Sequence, residues 1–292
     1  MRRVVAAALG LLAALLQPAI AGTEPVPADG GPFFMFAASK FADPGDHQRI
    51  EAELAQHLTD RDYLSLGVTR AFPALATRVP RDQIFILPPN LTQLAATIRK
   101  GADAGTPGLL IYDGEHWEAT PDEEQRDPPA AVLRGKALAG KSPAHRFGFS
   151  PDGEFIGVRP SRCAYDLDQS IHRRIDWTGI SLFNIQAQAL LSETCQETVG
   201  LKAYVDFVRA VALEAKAAAP NLTVTAQLSF RHASVATMIE AIRRLGGTVD
   251  GFYLAYPCNV GPVCKYCAPA NLGAVLAAIR AERPAAAPAI PQ

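Results

Sequence analysis

The sequence predicts an α/β fold: a single-domain (βα)8 barrel of the TIM type. Three observations predict it. Short apolar runs bounded by Gly or Pro alternate with segments of helical period, the pattern of parallel strands joined by helices. Eight such pairs follow one another over roughly 250 residues, the usual size of a closed barrel. The first run ends in Ala37-Ala38-Ser39-Lys40, which is neither a dinucleotide-binding nor a P-loop turn. An open doubly wound sheet would carry a Gly-rich loop there.

Each pair can be read in order. Phe33–Ala37 is a strand and Gln48–Leu58 a helix. Tyr63–Val68 is a strand, with a short helix over Phe72–Thr77. Ile84–Leu87 is a strand stopped by Pro88-Pro89, and Thr92–Lys100 is a helix. Leu109–Tyr112 is a strand and Pro129–Leu138 a helix. Phe147–Phe149 is a short strand, with a helix over Arg162–His172. Gly179–Ile185 is a strand before the long helix Val199–Ala218. Leu222–Leu228 is a strand and Val235–Leu245 a helix. Gly251–Ala255 and Leu272–Ala281 complete the set. The acidic run Asp122-Glu123-Glu124 reads as a solvated helix start, its charges favourable at the positive helix end.

The chain has 292 residues, of which 49% are hydrophobic and 20% charged, with net charge -1. That balance gives no basic surface for nucleic acid, so no nucleic-acid partner is expected. Arg2 and Arg3 precede an apolar stretch from Val4 to Leu16, and Ala19-Ile20-Ala21 supplies a small-x-small site. This is the layout of a secretory signal. Residues 1–21 are expected to be a signal peptide, 22–31 a linker, 32–283 the barrel and 284–292 a disordered tail. The expected location is secreted or periplasmic, with no stable membrane span after cleavage.

Five cysteines fit export: Cys163, Cys195, Cys258, Cys264 and Cys267. In an oxidising compartment they are disulfide candidates. Cys163 with Cys195 is the favoured long-range pair, and Cys264 would take either Cys258 or Cys267. A structural zinc site needs four ligands, and no His lies near the Cys cluster. Neither a metal nor a cofactor is expected.

In a barrel of this type chemistry gathers where strands end. The fourth strand ends in Asp113-Gly114-Glu115-His116-Trp117. Side chains alternate along a strand, so Asp113 and Glu115 share a face while extension lasts. Neighbouring carboxylates raise one another's pKa, which keeps a carboxylic acid protonated near neutral pH. Other strand ends supply Arg70, Asn184, Gln186, Gln188, Gln227, Arg231 and Tyr256. Amides, hydroxyls and rings suit a carbohydrate, whose hydroxyls need partners and whose faces stack on aromatics. Glu115 is therefore read as a general acid and Asp113 as its electrostatic partner. Trp117, Asn184, Gln186, Gln188, Gln227, Arg231, Tyr256 and Arg70 are read as substrate-binding. A two-acid mechanism wants a second carboxylate, and Asp152 after the fifth strand is the candidate. No Gly-x-Ser-x-Gly elbow and no strand-end Lys point to other hydrolytic or Schiff-base chemistry. The same residues have structural uses: an N-cap for the Asp-x-Glu pair, interior bonding for the glutamines, and ion pairing for the arginines.

Two resemblances follow from these residues. The segment ending in Asp113-Gly114-Glu115 resembles the fourth-strand motif D-x-x-D-x-D-x-E of family-18, chitinase-like glycoside hydrolases. That likeness implies a barrel whose final Glu is the general acid and whose preceding Asp orients a substrate acetamide. Gly108 and Ile111 stand where that motif has its first two acids. The run from Ile111 through Asp113, Glu115, Trp117, Thr120-Pro121, Glu124-Gln125 and Asp127-Pro128 is similar to one in uncharacterised secreted bacterial TIM-barrel proteins. So are Ile185-Gln186-Ala187-Gln188 and the Cys-rich turn after the last strand. The expected function is that of an exported glycoside-hydrolase-like barrel acting on a polysaccharide. The alternative is a non-catalytic barrel of the cell envelope that binds a glycan or a protein.

Overall fold

The computed structural model describes residues 31–38, 44–100, 107–256 and 265–282. The signal segment, linker residues 22–30, Ser39 and Lys40, Cys258, Cys264 and the tail from 284 to 292 lie outside the described residues.

Eight parallel strands close into one barrel. They are β1 (Phe33–Ala38), β2 (Tyr63–Ser65), β3 (Ile84–Ile86), β4 (Leu109–Tyr112), β5 (Arg146–Phe149), β8 (Leu182–Ile185), β9 (Thr223–Ser229) and β10 (Gly251–Tyr256). Each pairs with the next in this order, and β10 returns to β1 with Phe33 opposite Gly251. The remaining two strands, β6 (Val158–Arg159) and β7 (Ala164–Tyr165), form a small antiparallel hairpin between β5 and β8. The helices are α1 (Pro44–His57), α2 (Leu66–Ala71), α3 (Pro73–Ala76), α4 (Leu91–Arg99), α5 (Asp122–Arg126), α6 (Pro128–Ala139), α7 (Glu197–Ala218), α8 (Val235–Leu245) and α9 (Pro269–Ala281). The chain is thus a (βα)8 barrel, as the alternation predicts.

Strand alternation divides the core in two. Phe33, Met35, Tyr63, Phe85, Leu109, Ile111, Leu182 and Tyr253 fill the barrel interior. Their neighbours Phe34, Phe36, Leu64, Leu110, Tyr112 and Phe183 face the surrounding helices. The inward series on β4 is Leu109, Ile111 and then Asp113; on β8 it is Leu182, Asn184 and then Gln186. The interior is therefore apolar below and polar at the strand C-terminal ends.

The first strand and the last helix of the barrel are joined at one seam. Asp62 is fully buried and accepts hydrogen bonds from Phe34 N (2.9 Å) and Thr59 N (2.7 Å). It also pairs with Arg280 of α9, whose guanidinium lies over the Phe34 ring. This ties β1, the α1–β2 connection and α9 together. Among the described residues no helix is long and apolar enough to cross a membrane.

Three local expectations are corrected. The second strand stops at Ser65 rather than Val68, because the Ser65 hydroxyl accepts from Val68 N and starts α2. No α-helix forms over Arg162–His172. That stretch holds the second strand of the hairpin and successive 3-10 turns. Its backbone is committed elsewhere: Ile171 N donates to Phe155 O, Asp168 N to the Asp166 side chain, and Cys163 takes a left-handed φ of 49°. Gly157 sits beneath this insert with φ of 94°, and a Cβ there would lie 2.1 Å from Asp166 O. Finally, Glu124 is buried rather than solvated. Its carboxylate accepts from Leu91 N at the start of α4 and from the Tyr112 hydroxyl at 2.9 Å.

Cys163 and Cys195 form a disulfide that ties the insert to the segment before α7. Cys267 is also disulfide-bonded, to a partner outside the described residues.

Candidate active site

The polar interior layer at the C-terminal mouth is built from four adjacent strands, β4, β5, β8 and β9. Asp113 continues the inward series of β4, and its own N–H donates to Pro88 O. Gln186 Nε2 donates to Asp113 Oδ1 (2.8 Å) and lies within reach of Ser150 Oγ (3.0 Å) and Ser150 O (3.1 Å). Asn184 Nδ2 reaches Ser150 Oγ (2.9 Å) and Gln227 Oε1 (2.7 Å), while its own oxygen accepts from Thr225 Oγ1 (3.0 Å). Gln188 Nε2 contacts Gln186 Oε1 at 3.4 Å. The result is one network with Asp113 at its solvent-facing end.

Glu115 lies just above, partly exposed like Asp113. Burial, and then the charge of Glu115, pushes the pKa of Asp113 well above the ordinary carboxylate range. Hydrogen bonds from Ser150 and Gln186 oppose that rise without cancelling it. Glu115 is raised too, first by burial and then by the charge of Asp152. A hydrogen bond from Gln186 again works the other way. The two carboxyl groups therefore compete for the same negative charge, and the pair holds a proton more tightly than separate acids would.

Asp152 is the third carboxylate of the cluster. Its oxygens accept from His116 N (3.0 Å) and Glu154 N (2.9 Å), and the His116 ring nitrogen lies 3.5 Å away. Its own N–H donates to Gly114 O, which binds the loop after β5 to the loop after β4. Gly153 lets the same loop pass close to the end of β8, since a Cβ there would lie 2.6 Å from Gln186 O. Among the described residues no three His, Cys, Asp or Glu side chains are grouped to hold a metal ion.

Thr120 holds the loop in shape. Its buried hydroxyl accepts from Glu115 N (3.2 Å) and from the Trp117 indole N–H (3.0 Å), and donates to Pro89 O (2.8 Å). This one side chain sets both the acid and the exposed aromatic face of Trp117. Sequence reasoning assigned Thr120 no role. Its place in the run that resembles other secreted barrels is the one available signal.

The other expected site residues divide. Trp117 is 46% exposed beside the acids. Gln186 touches them, and Gln188 touches Gln186. Asn184 is fully buried and Gln227 nearly so, one layer deeper than the acids. Both contact protein groups: Asn184 bonds to Ser150 and Thr225, and the two amides bond to each other. Tyr256 is buried between Phe36 and Phe230, with its hydroxyl on Cys267 O. Arg231 is exposed after β9, where it adds to the burial that lowers the pKa of His232. Arg70 is exposed on α2 after β2, two strands along from β4, and lines a separate cavity. A larger cavity of ≈860 Å³ lies at the opposite end of the barrel, lined by residues such as His145, Asp176 and Asn221. None of the strand-end acids reaches it.

No family model matches the sequence, and no curated protein is similar to it. Solved structures with a related chain path include the spore coat polysaccharide biosynthesis protein spsE from Bacillus subtilis, at 9% identity and TM-score 0.46, covering 86% of this chain and 67% of that one. The native KDPGal structure is 12% identical, with TM-score 0.40, covering 85% and 94%. The tryptophan synthase alpha chain from Legionella pneumophila is 10% identical, with TM-score 0.40, covering 86% and 92%.

Proposed function

We propose that the chain is an exported glycoside-hydrolase-like barrel acting on a polysaccharide. The observation that carries this reading is the cluster of Asp113, Glu115 and Asp152 at the open strand ends, with Gln186 between the first two acids. An acid that holds its proton above the ordinary carboxylate range is what protonation of a glycosidic oxygen requires. Glu115 is the general acid, since it stands nearer the opening than Asp113. Asp113 is its electrostatic partner: crowding of the two carboxyl groups disfavours charge on both, which keeps a proton available on Glu115. Once that proton passes to the glycosidic oxygen, Glu115 is left as a carboxylate that regains a proton from water. Asp152 is the second carboxylate, held for water or for the sugar by two backbone donors. Trp117 offers a ring on which a sugar face can stack. Disulfide bonding at Cys163, Cys195 and Cys267 supports a secreted or periplasmic location.

The test is turnover of peptidoglycan, chitin and exopolysaccharide fragments by the wild-type protein and by Glu115→Gln. The reading expects loss of hydrolysis by at least about 100-fold, with the melting temperature nearly unchanged. Unaltered turnover in that variant refutes it.

A second reading rests on one observation. Asn184 donates to Ser150 and to Gln227, and Gln186 also bonds to Ser150, so none of the three amides stands free. A barrel that only binds a glycan or protein at the cell envelope would keep such a rigid floor without turnover. Glycan-array binding with no product released distinguishes this reading from the first.

A further inference from the structure

The barrel mouth has two unlike halves. β4, β5, β8 and β9 supply the carboxylates and amides. The other four strands, β10, β1, β2 and β3, surround a separate cavity of ≈390 Å³. Its walls are apolar: Ala37, Leu66, Phe85, Ile86 and Ala255 among them. One charged residue lines it, Arg70 on the last turn of α2. Arg70 is exposed, and no carboxylate pairs with it among the described residues. Tyr253 belongs to both halves. It lines the cavity, and it is close enough to Asp113 and Glu115 for their charges to add to the burial that raises its pKa.

We propose that this cavity is a binding subsite for an apolar group ending in a negative charge, an aryl- or alkyl-carboxylate substituent, carried by the molecule whose bond lies over Asp113 and Glu115. The proposal rests on the hydrolase reading for the second half of that sentence only. An apolar body gains by leaving water for these walls. A carboxylate at its end is drawn to the Arg70 guanidinium, which has no carboxylate partner among the described residues, and is repelled by the three acids at the ends of β4 and β5. With the cation after β2 and the acids after β4 and β5, such a substrate enters in one orientation and not the reverse. A neutral polysaccharide would gain nothing from Arg70, and an anion without an apolar body would leave the walls wet.

The probe is 3-phenylpropionate, compared with its neutral isostere 3-phenylpropionamide. Both are titrated by NMR into the purified wild type, Arg70→Gln, Arg70→Lys and Glu115→Gln. Backbone amide shifts of Gly67, Ile86 and Ala255 locate the bound probe. The carboxylate is expected to bind wild type and Glu115→Gln at least 10-fold more tightly than the amide. Arg70→Gln should abolish that preference, and Arg70→Lys should keep part of it. Equal affinity for the two probes, a preference that survives Arg70→Gln, or no shift at those three amides overturns the proposal. Neither probe has a glycosidic bond, so the result stands apart from turnover. A hydrolysis assay that fails leaves this measurement intact, and the reverse also holds.

Discussion

Replacing Asp113 with Asn removes a carboxyl group that the barrel mouth holds as an acid. Its folded-state pKa lies above the unfolded one, so its proton stabilises the native state. That contribution is complete below the unfolded carboxylate range, near about pH 4, and is lost as pH rises through the folded value. The wild type therefore gives up stability on the way to neutral pH, and an amide at this position does not. Each tenfold weakening of acidity corresponds to about 1.4 kcal/mol. Against this, the hydrogen bonds from Gln186 (2.8 Å) and Ser150 would fall on a neutral oxygen instead of a carboxylate. That exchange costs about 1 kcal/mol. Asp113→Asn is therefore expected to be more stable than the wild type at pH 7.5, because the rise caused by burial and by Glu115 outweighs these hydrogen bonds. Differential scanning calorimetry from pH 4 to pH 8 reads it. The curves of the two proteins should meet at the acid end and separate above it. Parallel curves, or a variant less stable across the whole range, would refute the account of why this acid is raised.

Other outcomes follow from the same geometry. Thr120→Val keeps the shape of the side chain but strands Glu115 N and Pro89 O, so urea unfolding should show a loss of about 1–3 kcal/mol, and the Trp117 emission should shift. Removing the Cys163–Cys195 bridge by a double change to Ala releases a loop with sequence separation 32. The loss should be about 3–4 kcal/mol, with the α7 side of the barrel unfolding first in hydrogen exchange. Arg280→Met leaves the buried Asp62 carboxylate without its cation and should destabilise by about 3–5 kcal/mol. A smaller effect would mean that Phe34 N and Thr59 N satisfy Asp62 unaided.

Much of the barrel was legible in the sequence because its strands are short, apolar and separated by clear stops. The inward direction of Asp113 follows from Leu109 and Ile111 by simple alternation. The insert between β5 and β8 was not legible. Arg162–His172 has the apolar spacing of a weak helix, and only the hydrogen bonds of the folded chain show that its donors serve a hairpin and tight turns. Glu124 looked like any acid in a charged helix start. Its burial depends on Tyr112 and Leu91 arriving from other elements. Among the site residues, the sequence grouped Asn184, Gln186 and Gln227 by type but could not rank their depth. All three are buried, and which of them touches the acids is decided by the neighbours each strand brings: Gln186 meets Asp113, while Asn184 and Gln227 meet each other. Tyr256 shows the same limit. It stands at a strand end as expected, yet its parity puts the ring against Phe36 and Phe230 on the helix side.

The central claim is that burial and crowding at the strand ends make Asp113 and Glu115 titrate as a linked pair that holds a proton above the ordinary carboxylate range. Side-chain carboxyl carbon shifts, followed by NMR from pH 3 to pH 9 with Asp113→Asn and Glu115→Gln for assignment, measure this without a substrate. The account predicts two linked steps, the upper one well above the ordinary carboxylate range, and each single replacement should move the step that remains downward. Two independent titrations near about pH 4, unaffected by either replacement, would contradict it.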